Sequence, residues 1–460
     1  MINYILIFLL LFVGLVPIIR EIFKGRFDFC DAKNPFIIYY IVQLGIAGFI
    51  TLRTKNYSYA ALDPVIYEDE YTKALLISTV GLIMFQIGYY LQGKRSLRLP
   101  KFLRVEWKVE RILPLIIMYF VIAAISFTAF VNFNGGINAF FENREAWRAG
   151  GMIGQGFLIF PSRNLPVIAS LMYFIYAANH YAHLQNRLWL FISVCLLILS
   201  SIPAMIMGFR SPFIFAIIQY IVLWHLCYKK IKTKNLMLMS IIIMLLFTIY
   251  GIIREVPYGV RIDVPALTET LIEKPELAYG LVSRSKGTEV VASVIHKLAE
   301  TKEYELGWHS IIETLTIPIP KIIWESKPQP MSMTFTTYFF GDALRLQRES
   351  DNVVWGGVSP TIVGELYWHF SWIGVLFVLY ILGKLMRIAY ITTLHNINNK
   401  SVLIIYAILY PSFLVSAEAL QGPLNGLMIN AIVIFFTITM LTIKITSPQK
   451  LKIEAGGFLS

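Results

Sequence analysis

Charge is scarce in this sequence. Asp, Glu, Lys and Arg make up only 15% of the 460 residues, whereas 57% are hydrophobic. Soluble domains usually carry about 25% charged residues, so the composition argues against a soluble protein. Apolar runs long enough to cross a hydrocarbon core about 30 Å thick recur along the chain. The sequence therefore predicts an all-α polytopic membrane protein.

Cysteine is almost absent. Its three positions, Cys30, Cys195 and Cys227, lie in segments predicted to be cytoplasmic or embedded in the membrane. The large outer loop defined below contains none, so we expect no disulfide there. Neither a C-x-x-C pair nor a histidine cluster indicates a metal site, and we expect no metal.

The common motifs of nucleotide binding and of nucleophilic or metal-dependent hydrolysis are also missing. There is no Walker A sequence, Gly-rich dinucleotide loop, Asp-x-Asp pair, Gly-x-Ser-x-Gly or His-Glu-x-x-His. An enzyme of this composition would draw its energy from an already activated substrate presented by the membrane. We therefore expect no cofactor. We also expect no nucleic-acid partner, because the net charge of +12 follows the membrane topology.

Eleven membrane spans are predicted from the apolar runs. The first is interpreted as a retained helix, because it lacks both a preceding basic residue and a signal-peptide cleavage site. The predicted spans lie near residues 3–19, 35–51, 73–92, 112–132, 160–179, 188–206, 212–228, 236–253, 358–383, 401–417 and 424–443.

Lysine and arginine predict the orientation. One alternating set of connections carries 22 basic residues, whereas the short loops of the other set carry five. Connections rich in Lys and Arg stay in the cytoplasm. We therefore expect an outer N-terminus and a cytoplasmic C-terminus, which agrees with an odd number of spans.

One outer connection is exceptionally long and defines the predicted organisation. Residues 254–357, the large loop, contain 11 Lys or Arg and 14 Asp or Glu. Loops of this length are usually functional. We expect spans one to eight in residues 1–253, a periplasmic loop with short helices in 254–357, and spans nine to eleven with a cytoplasmic tail in 358–460. Residues 283–300 are predicted to form an amphipathic helix.

Arg210 lies in MGFRSPF, on the side where short loops carry few basic residues. Ser211 and Pro212 suit the N-cap and first position of the seventh span. A helix N-terminus beside an arginine favours an anion such as a phosphate. The alternative is an arginine whose head group snorkels to the membrane surface.

Other basic residues of the outer loops could join this site. Arginine makes bidentate contacts with phosphate oxygens, so several arginines at one membrane-surface cavity would suit a diphosphate. Solvated loop charges are the alternative. These residues are Arg144, Arg148, Arg254, Arg261, Arg284 and Lys286.

The ninth span contains two ionisable residues in GELYWHFSWIG. Glu365 and His369 are four apart and should share one helix face. Ionisable groups inside an apolar span usually mark a functional site. We expect one of them to be a general base. Glu418 in SAEALQG is a rival base, and an interhelical hydrogen bond is the structural alternative.

Two segments carry a resemblance to a known family. IPKIIWESKPQP and the later SPTIVGELYWHFSWIGVLF resemble elements of the bacterial Wzy oligosaccharide repeat-unit polymerases of O-antigen and capsule synthesis. The first matches a Pro-basic-x-x-Trp-x-x-Lys-Pro element, and the second matches a Gly-Glu-x-Tyr element. GGINAFFENREAWRAGG and MGFRSP look like earlier outer elements of the family. After the aromatic residue of the ninth span we expect Gly, where this chain has Ser371.

The resemblance implies a GT-C-like glycosyltransferase in the bacterial inner membrane that needs neither metal nor nucleotide. A glycan on undecaprenyl diphosphate would be transferred to the next undecaprenyl-diphosphate-linked repeat unit. Membrane lipid is an implied partner, and a chain-length regulator is a further candidate. Arg210, Glu365 and His369 would be catalytic.

The segment IPKIIWESKPQP is interpreted as a proline-stiffened arm over the membrane-surface cavity. Lys321 and Lys327 would help to hold diphosphate or sugar, Trp324 would anchor the arm, and Tyr367 could stack on a sugar. The alternative is an arm that only caps the helix bundle. An O-antigen ligase and a lipid-oligosaccharide flippase or transporter remain alternative functions.

Overall fold

The structure is a computed structural model that describes most of the chain. The described residues are 2–54, 67–93, 95–142, 155–181, 187–207, 211–236, 238–239, 287–317, 319, 323–351 and 358–442.

Within these ranges the chain consists of helices and their connecting turns. The helices are α1 (Ile2–Phe23), α2 (Lys33–Ile41), α3 (Ala47–Thr54), α4 (Glu68–Leu91), α5 (Val109–Phe133), α6 (Gly136–Glu142), α7 (Gly156–Tyr181), α8 (Leu188–Ile206), α9 (Ser211–Leu223), α10 (Gly287–Thr301), α11 (Trp308–Thr316), α12 (Met331–Asp351), α13 (Ile362–His395), α14 (Lys400–Val415) and α15 (Gln421–Thr442). A π-helical turn at Val42–Ile46 lies between α2 and α3, and a second one at Trp224–Tyr228 follows α9.

The predicted all-α polytopic class is confirmed. Nine of the described helical segments are long and apolar enough to cross a membrane, and α14 is a shorter apolar helix of 16 residues. These ten segments coincide with ten of the eleven predicted spans. The remaining prediction, the eighth span at 236–253, lies almost wholly outside the described residues.

The ninth span differs from its prediction. It was expected to end at residue 383, whereas α13 continues to His395. The extension carries Arg387, whose Nε donates to the carbonyl of Gly93 and whose Nη1 donates to Tyr89 Oη, both at 3.0 Å. These hydrogen bonds tie the extension of α13 to α4 and to the turn that follows α4.

Close backbone contact joins α13 to α4. A Cβ placed at Gly88 would lie 2.0 Å from the carbonyl oxygen of Tyr380, and one at Gly383 would lie 2.1 Å from that of Phe85. Small residues at such crossings let membrane helices approach closely. The α4–α13 pair thus forms a tightly packed centre of the bundle.

The helices of the large loop pack over the start of α13. α10 covers residues 287–300 of the predicted amphipathic segment, whose first four residues lie outside the described ranges. Its Val290 and Val294 are buried with Phe335 of α12 and Trp368 of α13. α10 also contacts α3 and α4. This packing brings loop residues to the N-terminal end of α13. The predicted division at residues 253 and 357 stays a prediction.

Candidate functional site

The first eight residues of α13 form a separate short helix. Thr361 caps it, because its Oγ1 accepts from the backbone N–H of Gly364 at 3.0 Å. The helical backbone is interrupted at Phe370 (φ −138°, ψ 22°) and Ser371 (φ 58°, ψ −160°). Residues 362–369, the half-helix, therefore carry the two ionisable residues of this span apart from its remaining length.

Glu365 joins the half-helix to α15. Its side chain is 1% exposed. Oε2 accepts from the backbone N–H of Leu420 at 2.7 Å, and Oε1 accepts from that of Gln421 at 3.0 Å. A carboxylate at a helix N-terminus satisfies free N–H groups and interacts favourably with the helix dipole. Glu365 is thus held by Leu420, which directly precedes α15, and by Gln421, its first residue.

His369 lies between two carboxylates and a hydroxyl. Its Nδ1 is 2.8 Å from Glu305 Oε2, and its Nε2 is 3.0 Å from Ser310 Oγ. The same Nε2 is 3.9 Å from Glu365 Oε1, which confirms that the residues four apart share a face. His369, Glu305, Glu365 and Ser310 form the imidazole cluster.

Glu305 reaches the cluster from the turn between α10 and α11. Its backbone N–H donates to the carbonyl of Trp368 at 3.2 Å, near the break that ends the half-helix. Its Oε1 accepts from the backbone N–H of His309 in the first turn of α11. Burial raises the pKa of Glu305, but the His369 imidazole and the His309 N–H outweigh this and hold it below its ordinary value. Glu305 is therefore an anion beside Nδ1.

The polar face of α11 rests on the start of α15. Gln421 Nε2 donates to the Ser310 carbonyl at 3.0 Å and to Thr314 Oγ1 at 2.9 Å. Asn425 Nδ2 donates to Glu313 Oε1 at 2.5 Å. Burial raises the pKa of Glu313 above its ordinary value. These bonds fix Ser310 relative to the half-helix.

Backbone strain is concentrated around this cluster. Four non-glycine residues in the described ranges have positive φ, and each such conformation costs on the order of 1–3 kcal/mol. Two flank the turn that carries Glu305, and two flank the half-helix. They are Lys302 (φ 55°), Leu306 (φ 58°), Thr361 (φ 57°) and Ser371 (φ 58°). Such strain persists only where surrounding contacts impose it, and it commonly marks functional sites.

The strain explains why glycine was expected at position 371. The φ and ψ of Ser371 fall in a region that is essentially restricted to glycine. We predict that the free energy of unfolding of Ser371→Gly stays within about 1 kcal/mol of the wild-type value. The β-branched Ser371→Val should lower it by about 2 kcal/mol or more. Thermal unfolding of the purified protein measures both. Ser332→Val, at an exposed helical position, is the control, and equal losses at 371 and 332 would contradict the assignment.

The cluster unites only part of the predicted site. Glu365 and His369 are in contact, whereas Tyr367 is half-buried and packs against both hydrophobic clusters next to it. Trp372, about one turn after His369, is 54% exposed beyond the break and lies outside the cluster. Eight predicted residues lie outside the described residues: Arg144, Arg148, Arg210, Arg254, Arg261, Arg284, Lys286 and Lys321.

Two residues of the predicted arm have local partners. Lys327 Nζ donates to the carbonyls of Ile317 and Ile319, at 3.3 and 2.9 Å, and so closes the C-terminal end of α11. The indole N–H of Trp324 donates to Ser326 Oγ at 2.7 Å. The described part of the arm therefore stabilises α11, while the substrate contacts of Lys321, Trp324 and Lys327 stay predictions.

The rival base Glu418 lies apart from the imidazole. It is half-buried at the turn before α15, and Tyr39 Oη donates to its Oε2 at 3.1 Å. Burial raises its pKa. Its contacts are with Tyr39 and Ser359, so the geometry favours the cluster around His369.

Sequence analysis missed Glu305, Ser310 and Arg163. Nothing distinguishes Glu305 or Ser310 from the other polar residues of the large loop. Arg163, by contrast, is a lone basic residue within a predicted span and could have been noticed. Leu158 and Ile159, just before it, pack with Met207 at the end of α8. Arg163 therefore lies towards the end of the bundle at which α8 ends. In the sequence, Arg210 comes three residues after Met207.

One group of potential metal ligands occurs among the residues that the structure describes. The ligand atoms of Asp28, Cys30 and His225 lie within 4.8 Å of one another. His225 Nδ1 accepts from the backbone N–H of Ile231 at 3.2 Å. The neutral ring then carries its proton on Nε2, which faces Asp28 Oδ1 at 3.6 Å. This nitrogen is a hydrogen-bond donor, so the arrangement does not suit a metal ligand.

Comparison with known proteins gives one match. The family model described as O-antigen polysaccharide polymerase Wzy matches residues 1–450. No curated protein and no solved structure matches the chain.

Proposed function

The chain belongs to the O-antigen polysaccharide polymerase Wzy family, and on that premise we propose that it joins undecaprenyl-diphosphate-linked oligosaccharide repeat units. The reaction takes place at the outer face of the bacterial inner membrane, with the N-terminus outside and the C-terminus in the cytoplasm. The donor is the growing glycan, the acceptor is the next lipid-linked repeat, and undecaprenyl diphosphate leaves.

The placement of His369 carries this proposal. The Glu305 carboxylate beside Nδ1 keeps a proton on that nitrogen and leaves Nε2 free to accept one. The Ser310 hydroxyl lies 3.0 Å from Nε2, where a sugar hydroxyl would need to bind. We assign the general base to His369 and the orientation of its ring to Glu305.

The reaction balances with one proton transfer and one displacement. The acceptor hydroxyl gives its proton to His369 Nε2 while its oxygen forms a bond to the anomeric carbon of the donor. The bond from that carbon to the phosphate oxygen breaks, and its electron pair leaves with undecaprenyl diphosphate. Glu365, 3.9 Å from Nε2, stabilises the imidazolium that forms.

Basic residues hold the leaving diphosphate. Arg210 is the principal candidate, since it directly precedes α9, which begins at Ser211, one residue before the predicted start at Pro212. We add Arg163, because an arginine inside a span usually serves function and because it lies towards the same end of the bundle. The remaining outer arginines and Lys286 stay candidate diphosphate contacts.

Ser310 distinguishes a base mechanism from a covalent one. If the Ser310 hydroxyl only fills the place of the acceptor hydroxyl, Ser310→Ala should keep polymerisation within about threefold, because no proton is transferred from it. If Ser310 were a nucleophile, the same variant would lose nearly all activity. Initial rates of glycan extension on lipid-linked repeats, with Ser332→Ala as control, measure the difference.

A gel of surface polysaccharide tests the function itself. Cells that lack this protein should show a single-repeat band, and the wild-type gene should restore a ladder of repeats. A single-repeat band on the final acceptor shows that ligation and flipping continue, which separates a polymerase from a ligase or a flippase. A full ladder without the protein, in cells free of any second polymerase, would overturn the proposal.

A further inference from the structure

The polar face of helix α11 is turned towards the protein, and its apolar face is exposed. Ser310, Glu313 and Thr314 face the protein, where they contact His369 or α15. The opposite face carries large apolar side chains at positions i, i+3, i+4 and i+7. These residues form the apolar stripe of α11: Trp308 (65% exposed), Ile311 (49%), Ile312 (41%) and Leu315 (63%).

Such a stripe is unfavourable in water. Apolar surface is stabilised by removal from water, so four large apolar side chains exposed on one helix face represent a substantial cost. In a soluble protein the pattern would be turned the other way, with the apolar side towards the core. An amphipathic helix at a membrane interface has this kind of exposed apolar face.

The stripe continues the exposed apolar surface of a membrane span. A Cβ at Gly307, directly before α11, would lie 3.1 Å from the ring of Phe370. Phe370, Ile373 and Phe377 are exposed along the outer side of α13 at 45%, 62% and 63%. On a spanning helix, exposed residues of this kind face lipid. The two surfaces meet at the contact between Gly307 and Phe370.

The position of α11 fits the level of the membrane surface. Its polar face is bonded to Gln421 and Asn425, in the first two turns of the span α15. Trp308 begins α11, and tryptophan is enriched where hydrocarbon meets the polar head groups. After the helix, Ile319 and Ile323 are also exposed, at 38% and 75%.

We propose that α11 is an interfacial helix whose apolar stripe is seated in the lipid of the outer leaflet. The bilayer then supports the imidazole cluster from one side. The contact between the apolar stripe and lipid holds the opposite, polar face of α11, and with it Ser310, against His369. The inference rests on exposure and continuity and does not depend on the proposed reaction.

The accessibility of spin labels tests whether the apolar stripe of α11 lies in lipid. Cys195 is exposed and Cys227 is half-buried, so both are first replaced by Ser, whereas buried Cys30 remains. Single cysteines are then introduced as Ile311→Cys and Leu315→Cys, labelled, and reconstituted in phosphatidylethanolamine–phosphatidylglycerol vesicles. Glu300→Cys, at an exposed position near the C-terminal end of α10, reports water, and Phe377→Cys reports lipid. Collisions with oxygen and with a water-soluble nickel chelate are measured for each label.

We expect labels at 311 and 315 to resemble the label at 377. Oxygen collisions should exceed nickel collisions several-fold, with the opposite ratio at 300. Nickel access at 311 and 315 equal to that at 300 would overturn the proposal by placing the stripe in water. Exclusion of both reagents would overturn it in favour of a covering protein, such as a second copy. Loss of oxygen access only after adding undecaprenyl diphosphate would assign the stripe to the substrate chain instead.

Discussion

Replacing His369 with glutamine should abolish visible polymer while leaving the protein folded. Glutamine is similar in size and can still bond to Ser310, but it cannot take a proton at neutral pH. A positioned general base contributes typically about 10²–10⁴-fold to a rate. We therefore expect the extension rate of His369→Gln to fall by at least about 10²-fold.

The control for this variant is His296→Gln. His296 lies on α10 beside Glu70 and Glu300, outside the imidazole cluster. It should give a normal ladder at an equal membrane level. If His369→Gln kept the wild-type rate, the general base would have to be assigned elsewhere, and Glu418 would become the leading candidate. If both variants lost polymer together, the effect would be one of folding.

Replacing Glu305 with glutamine should give the second largest loss. The amide keeps the shape of the side chain but removes the charge beside Nδ1 of His369. Carboxylates that orient a metal-bound imidazole typically contribute about 10- to 100-fold, and we take the same order of magnitude for the partner of His369. We expect a loss of this size in the extension rate, with little change in the amount of folded protein.

A double variant separates positioning from a structural role. If Glu305 acts through His369, the double variant His369→Gln/Glu305→Gln should extend glycan no more slowly than His369→Gln alone, because residues that act as a unit have non-additive effects. Glu303→Gln, two residues away on an exposed side chain that accepts from Tyr338, is the matched control and should keep the wild-type rate. Losses that multiply in the double variant would mean that Glu305 only holds the turn before α11.

The fold class could be predicted from the sequence because membrane spans are long and apolar. The pairing of Glu365 with His369 could also be predicted, since a helix places residues four apart on one face. The break after His369 could not, because position 371 is a serine in a conformation that normally requires glycine. Only the family pattern pointed to glycine there.

The partners of His369 could not be predicted from the sequence, for a different reason. Ser310 and Glu305 lie about sixty positions before it in the chain, within a loop that contains 14 acidic residues. Only the packing of α10 and α11 on the half-helix selects these two. The contact of Lys327 with the end of α11 is likewise a product of tertiary structure, whereas the sequence alone pointed to an anion.

The central claim is that His369, oriented by Glu305, accepts the proton of the sugar hydroxyl. The most direct measurement is the initial extension rate of the purified wild type, His369→Gln, Glu305→Gln and the double variant in vesicles with lipid-linked repeats. We predict a loss of at least about 10²-fold for His369→Gln, a smaller loss for Glu305→Gln, and no further loss when the two changes are combined. A wild-type rate for His369→Gln would contradict the claim.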